Sequence, residues 1–139
     1  MQLTKISDLT GLVYLATPYS KYKDGHAAAY SIACRIAARV MNEGVAVYSP
    51  IAHGHGIAIH GREDGVELAS DAGTWRSINL AVLRGCSDMV IPEIDGWRES
   101  EGIQDEAWIA CMSMVNVWVM DKDGNISELP EDFFAEEDE

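Results

Sequence analysis

Leu12-Val13-Tyr14-Leu15-Ala16-Thr17-Pro18 is a short apolar run stopped by Thr-Pro, and its continuation decides the fold. Proline pushes the residue before it toward extended geometry, so Leu12 to Ala16 reads as a buried strand emptying into a loop. From about Gly25 to Glu43 the chain is alanine-rich, with Ile32, Ile36 and Val40 at every fourth position and Gly44 just beyond. That spacing predicts a helix packed closely on a sheet and closed by glycine. Val45 to Ser49 is the next strand.

The same alternation continues to the C-terminal side. Thr74 to Arg84 repeats the helical pattern through Ile78 and Val82, and Gly85 can end it. Met89 to Ile94 is apolar but contains Pro92, whose missing ladder donor marks a strand end or an edge. A helix from Glu101 to about Ser113, a strand from Val115 to Met120 and the turn Asp121-Lys122-Asp123-Gly124 follow. This order predicts one α/β domain over residues 1–127, a Rossmann-like parallel sheet with helices on both faces. In such sheets ligands bind beyond the carboxyl ends of the strands. Tyr14, the loop from Thr17 to Tyr22, the loop after Ser49 and the loop from Trp97 to Gly102 would gather there.

Composition bounds what such a domain can do. A chain of 139 residues with 47% hydrophobic content supports one core. No stretch approaches the roughly 18 apolar residues of a membrane span, and a basic start followed by an apolar run is absent, so the expectation is a cytoplasmic protein without membrane partners. Cys34, Cys86 and Cys111 are far apart in apolar segments and read as reduced core thiols. A formal charge of -13 argues against general nucleic-acid binding, because phosphates would be repelled. Much of that charge lies in residues 128–139, where Glu131, Asp132, Glu136, Glu137, Asp138 and Glu139 surround Phe133 and Phe134; this stretch reads as a flexible acidic tail.

The segment from Gly96 to Ala107 puts Ser100, Gly102 and Glu106 at the opening of an apolar helix. Ser100 can cap that helix, and Gly102 leaves room for a ligand to approach the free N–H groups, whose partial positive charge attracts anions. Glu106 lies about one turn further in, on the side of Ile103 and Ala110, so its carboxylate faces a packed surface. Two readings stand for this segment alone: a plain capped helix, or a half-buried carboxylate beside an anion site. Between Pro50 and Gly73 the sequence reads as an irregular glycine-rich loop carrying His53, His55 and His60. A His-x-His pair with a third histidine and Asp64 could surround a metal ion, but the spacing is not diagnostic; pocket lining or substrate contact, with His53 the candidate contact, and for His60 plain solvation, are the other readings.

Taken together, Val13-Tyr14-Leu15-Ala16-Thr17-Pro18-Tyr19-Ser20, Val47-Tyr48-Ser49-Pro50-Ile51-Ala52-His53, and Gly96-Trp97 through Ser100-x-Gly102-x-x-x-Glu106-x-x-x-Ala110 resemble the nucleoside 2-deoxyribosyltransferase-like superfamily, in particular a branch of small bacterial and phage proteins. The resemblance runs from about Leu12 to Met120. It implies that Glu106 is a nucleophile attacking the anomeric carbon of a nucleoside or nucleoside 5′-monophosphate, and that Tyr14 hydrogen-bonds and orients that carboxylate. It implies that Ser100 and Gly102 hold the 5′-phosphate, and that the protein forms homodimers or higher oligomers.

One position departs from the superfamily's pattern. An aspartate that helps protonate the leaving base is usual on the helix before the third strand, and Trp75-x-x-x-Asn79 puts an amide there. An amide can orient a group but cannot shuttle a proton, which leaves Asp71 as the other carboxylate to consider. The expected chemistry is retaining: Glu106 displaces the base to give a covalent glycosyl-enzyme, resolved by water in an N-glycosidase or by a second base in a transferase, with no metal or organic cofactor. Tyr19, Ser20, His53 and Trp97 are the further candidate substrate contacts, although the aromatic ones read equally as core. The alternatives to an enzyme are a nucleotide-binding protein without turnover and an acidic interaction protein working through its tail.

Overall fold

Successive side chains of a strand point to opposite faces, and here each face is buried under helices. The computed structural model describes residues 4–68 and 72–134. The strands are β1 (Val13–Leu15), β2 (Val47–Tyr48), β3 (Asp88–Pro92), β4 (Asn116–Met120) and β5 (Ile126–Glu128), in the order β2-β1-β3-β4-β5. The helices are α1 (His26–Asn42), α2 (Pro50–Glu63), α3 (Ala72–Arg84) and α4 (Glu101–Met112). On one face Tyr14, Met89, Ile91 and Val119 pack against Leu80 and Leu83 of α3 and Ile103, Ala107 and Ala110 of α4. On the other, Val13, Leu15, Val90 and Met120 pack against Ile36 and Val40 of α1. Ala29 and Ala33 continue that buried stripe of α1, and Gly44, at φ +89°, closes the helix in a conformation that favours glycine.

Strands β1 to β4 are parallel, as the alternating pattern predicts, whereas β5 runs antiparallel along the edge of β4. The Asp121 to Gly124 turn makes this hairpin: the Asp121 carboxylate accepts from the backbone N–H of Asp123 at 2.9 Å and of Asn125 at 3.0 Å. Pro92 ends β3, a central strand. Its neighbour β1 is already finished there, with Leu15 opposite Val90, so no ladder bond is lost on that side.

Two expectations need correction. Residues 50–63 form a helix, not an irregular loop: Ser49 Oγ accepts from the Ala52 N–H at 3.1 Å and Pro50 occupies the first turn. Glycine inside a helix costs up to about 1 kcal/mol each, but here it permits close packing. A Cβ on Gly54 would lie 3.5 Å from the Trp75 ring. The chain after Glu128 is not a free acidic tail as far as Phe134. Phe133 is only 2% exposed and stacks on Trp97, and its carbonyl accepts from Gln104 Nε2 at 2.9 Å. Burial of the Phe133 and Phe134 rings outweighs the solvation of their acidic neighbours. Residues 135–139, and Asp71, lie outside the described residues. No helix among the described residues is long and apolar enough to cross a membrane.

Candidate functional site

Tyr14 sits in the middle of β1 with Tyr48 of β2 beside it on one side and Met89 of β3 on the other, and it is completely buried. Helix α4 crosses this face on Ile103, Ala107 and Ala110. The turn between Ile103 and Ala110 brings Glu106 over the strand, where its Oε2 accepts a 2.8 Å hydrogen bond from the Tyr14 hydroxyl. Burial, and then the Glu106 charge, raise the Tyr14 phenol well above its ordinary range, so it stays protonated and donates.

Glu106 is half-buried, touching the solvent of a cavity on one side and protein on the others. Burial pushes its carboxyl up to about 7; the Tyr14 hydrogen bond pulls against this, Asp105 adds to it and Arg76 opposes it. Arg76 is itself engaged by Asp105, with Nε to Oδ2 at 2.8 Å and a second guanidinium nitrogen to Oδ1 at 3.2 Å. A carboxyl that ionises near neutrality, fixed by one buried phenol at the wall of a cavity, has the properties of a nucleophile or a general base.

The cavity holds about 1100 Å³ and opens where the strands end at their carboxyl edge. It brings together Glu106, Asn79, Tyr19, Ser20, Ser100 and Gly102. Ser100 Oγ accepts from the Ile103 N–H at 3.3 Å, so it caps α4. A Cβ on Gly102 would meet nothing closer than Ser100 Oγ at 3.9 Å, so that side of the helix start is open. Asn79 reaches the cavity from α3; its Oδ1 is buried without a hydrogen-bond partner among the described residues, as is Oγ1 of the cavity-lining Thr17. A second cavity, of about 310 Å³, lies on the α1 side between Lys5, Ile36 and Asp123; it lacks a carboxylate and phenol pair and is far smaller.

Two candidates fall elsewhere. His53 is exposed and packs by its ring against Tyr48, 5.6 Å between centroids, and does not line the cavity. Trp97 stacks on Phe133 with Arg98 over its ring, which makes it part of the core and not of the cavity wall. The metal reading of the histidines also loses its geometry. On a helix His55 faces away from His53 and His60, and those two stand about two turns apart; His60 pairs with Glu63, and no cluster of three or more metal-ligating side chains occurs among the described residues.

His55 lines the cavity, in keeping with the pocket-lining reading of the loop histidines, and Arg62 is the lining residue that the loop reading of residues 50–73 conceals. Ile51, His55, Ala58 and Arg62 share one helical face, a pattern visible only when Ser49-Pro50 is taken as a helix start. The Tyr19 hydroxyl and His55 Nδ1 lie 2.7 Å apart.

With this geometry in place, comparison with protein families matches residues 11–122 to the family described as domain of unknown function (DUF1937). The chain belongs to that family. No curated protein matches it. The matched span of this DUF1937 domain contains Tyr14, Asn79, Glu106 and every wall of the cavity, and it ends before β5 and the Phe133 packing.

Proposed function

We propose that this protein cleaves or transfers at the N-glycosidic bond of a nucleoside or nucleoside 5′-monophosphate through a covalent glycosyl-glutamate. The observation that carries the reading is the 2.8 Å bond from the Tyr14 hydroxyl to Glu106 at the wall of the 1100 Å³ cavity. A Glu106 carboxylate oxygen attacks the anomeric carbon while the bond from that carbon to the base nitrogen breaks, and the base leaves with the electron pair and takes up a proton. Water, or the nitrogen of a second base, then attacks the same carbon and releases Glu106, its proton passing to solvent or to the departed base. The resemblance to the nucleoside 2-deoxyribosyltransferase-like superfamily implies a 5′-phosphate at Ser100 and Gly102, and both residues line the cavity. It also implies a homodimer or higher oligomer, in keeping with the exposed Trp108 and Met112 on the outer side of α4.

A second reading, nucleotide binding without turnover, is favoured by Asn79. It occupies the position expected to assist the leaving base and has no proton to give. The acidic-partner reading is weakened by the packing of Phe133 and Phe134, which would have anchored a docking tail. Incubation with a panel of nucleosides and their 5′-monophosphates, with chromatography for free base, decides between catalysis and binding. The proposal expects base release by the native chain and none by Glu106→Gln. Tight nucleotide binding with every nucleotide recovered intact would establish the second reading instead.

A further inference from the structure

The two walls of the Glu106 cavity differ in the sign of their uncompensated charge. Four of the chain's ten Lys and Arg residues line it, Lys21, Lys23, Arg62 and Arg76, although the chain as a whole carries -13. Lys23 is paired with Asp95 and Arg76 with Asp105. Arg62, in the last turn of α2, Lys21 and the carboxylate of Glu67 just beyond α2 have no ion pair among the described residues, which leaves that wall with positive charge in excess. Across the cavity, at the start of α4, Ser100 is flanked by Glu99 and Glu101, both exposed and both lining the cavity. Arg98, the cation that would offset them, is turned away onto Asp132 and the Trp97 ring. A helix start bracketed by two free carboxylates is a poor anion site.

The α2 wall is built differently. The Tyr19 ring stacks on His26 at 4.3 Å, its hydroxyl meets His55 Nδ1 at 2.7 Å, and the His55 ring stacks on Tyr30 at 4.4 Å. Burial raises the Tyr19 phenol, with the Arg62 charge opposing it; burial, then His26 and Arg62, lower His55. Arg62 therefore acts on both partners of the Tyr19 and His55 pair. With the phenol donating to Nδ1, neutral His55 carries its proton on Nε2 as a further donor. The guanidinium adds a planar fork suited to two phosphate oxygens.

We propose that Tyr19, His26, His55 and Arg62 form an anion subsite that takes the phosphate of a phosphorylated sugar bound over Glu106, in place of the start of α4. The assignment rests on the reading of this cavity as a nucleotide site, and its test is chosen to fail separately. Ribose 5-phosphate is titrated calorimetrically into the 139-residue chain, with ribose and inorganic phosphate as comparison ligands, so that no base is needed. The native protein should prefer ribose 5-phosphate to ribose, and the preference should decline with added salt. Arg62→Ala should weaken ribose 5-phosphate by about tenfold or more, Arg62→Lys should recover part of the loss, and Arg84→Ala, exposed and outside the cavity, should leave the affinity unchanged. Indifference to Arg62→Ala, loss on Gly102→Val alone, or equal binding of ribose and ribose 5-phosphate would each overturn the subsite. Base release from nucleoside 5′-monophosphates, dependent on Glu106 and indifferent to Arg62, would leave the proposed reaction standing without the subsite. Arg62-dependent binding with no base release from any nucleotide would leave the subsite standing without the reaction.

Discussion

Tyr14→Phe removes one hydroxyl from a fully buried ring and leaves its packing in place. That hydroxyl donates the 2.8 Å bond to Glu106 and is the larger of the two influences that oppose burial in setting the carboxyl at about 7. A hydrogen bond to a charged group is worth about 1.5–3 kcal/mol. Losing it raises the carboxyl by roughly one to two pH units, to about 8 or 9. At pH 7 the ionised fraction of Glu106 then falls from about half to about a tenth or less.

The effect is measurable without any substrate. Glu106 has an ordinary value of 4.5 and is raised to about 7 in the fold, so the native chain keeps a proton that the unfolded chain releases in between. The stability this confers is fully present below 4.5 and is lost as pH rises through about 7. The difference corresponds to roughly 3 kcal/mol. In Tyr14→Phe the loss should continue to about pH 8 or 9 and deepen by about 1.5–3 kcal/mol. In Glu106→Gln this component should vanish, and adding Tyr14→Phe to it should restore none of it. Urea unfolding at half-unit pH steps from 4 to 9 gives the curves. Parallel curves for the native chain and Tyr14→Phe above pH 6 would refute the coupling. If the protein turns over, the acid limb of its kcat/KM profile should move upward by the same interval in Tyr14→Phe, because attack requires the ionised carboxylate.

Phe133→Ala tests the packed C-terminal segment: urea unfolding should show a loss of about 3–5 kcal/mol, whereas a solvated tail would give a change within about 0.5 kcal/mol. Asn79→Asp restores a carboxyl at the wall of the cavity. In the enzymatic reading base release should rise, since general acid assistance is worth on the order of a hundredfold; in the binding reading no base appears and nucleotide affinity falls, because a second carboxylate joins Glu106.

The parts of this molecule legible in its sequence are those written in period. The strand at Leu12 to Ala16, the stripe of α1 and the glycine after it could be read directly, because one face of each element repeats the same chemistry. Glu106 could be placed over the sheet because Ile103, Ala107 and Ala110 fix which side of α4 is down. What escaped was written in exceptions. The glycines of α2 resemble loop composition until Trp75 is seen against Gly54, a contact between residues on different elements. Hiding that helix also hid the face holding His55 and Arg62, and gave His53 a role that helical rotation denies it. The C-terminal charge run concealed Phe133 because composition averages over a segment, while burial acts on single side chains.

The proposed reaction places two opposed demands on one carboxyl: Glu106 must be charged to attack, yet its surroundings favour the proton. Tyr14 and the Arg76 charge, the latter already engaged with Asp105, offset burial only in part. A glycosidic transition state supplies the missing compensation, since positive charge develops on the sugar next to the carboxylate as the base departs. In a partly desolvated cavity that attraction is stronger than it would be in water. It is also greater in the transition state than in the empty site, which is the condition for binding energy to accelerate a reaction. Burial that merely penalises Glu106 in the resting protein therefore becomes useful only when a ligand ionises beside it. A neutral ligand resting over Glu106 would gain nothing from the same arrangement. With Asn79 unable to donate a proton, this charge development carries more of the burden of base departure than it would beside an aspartic acid.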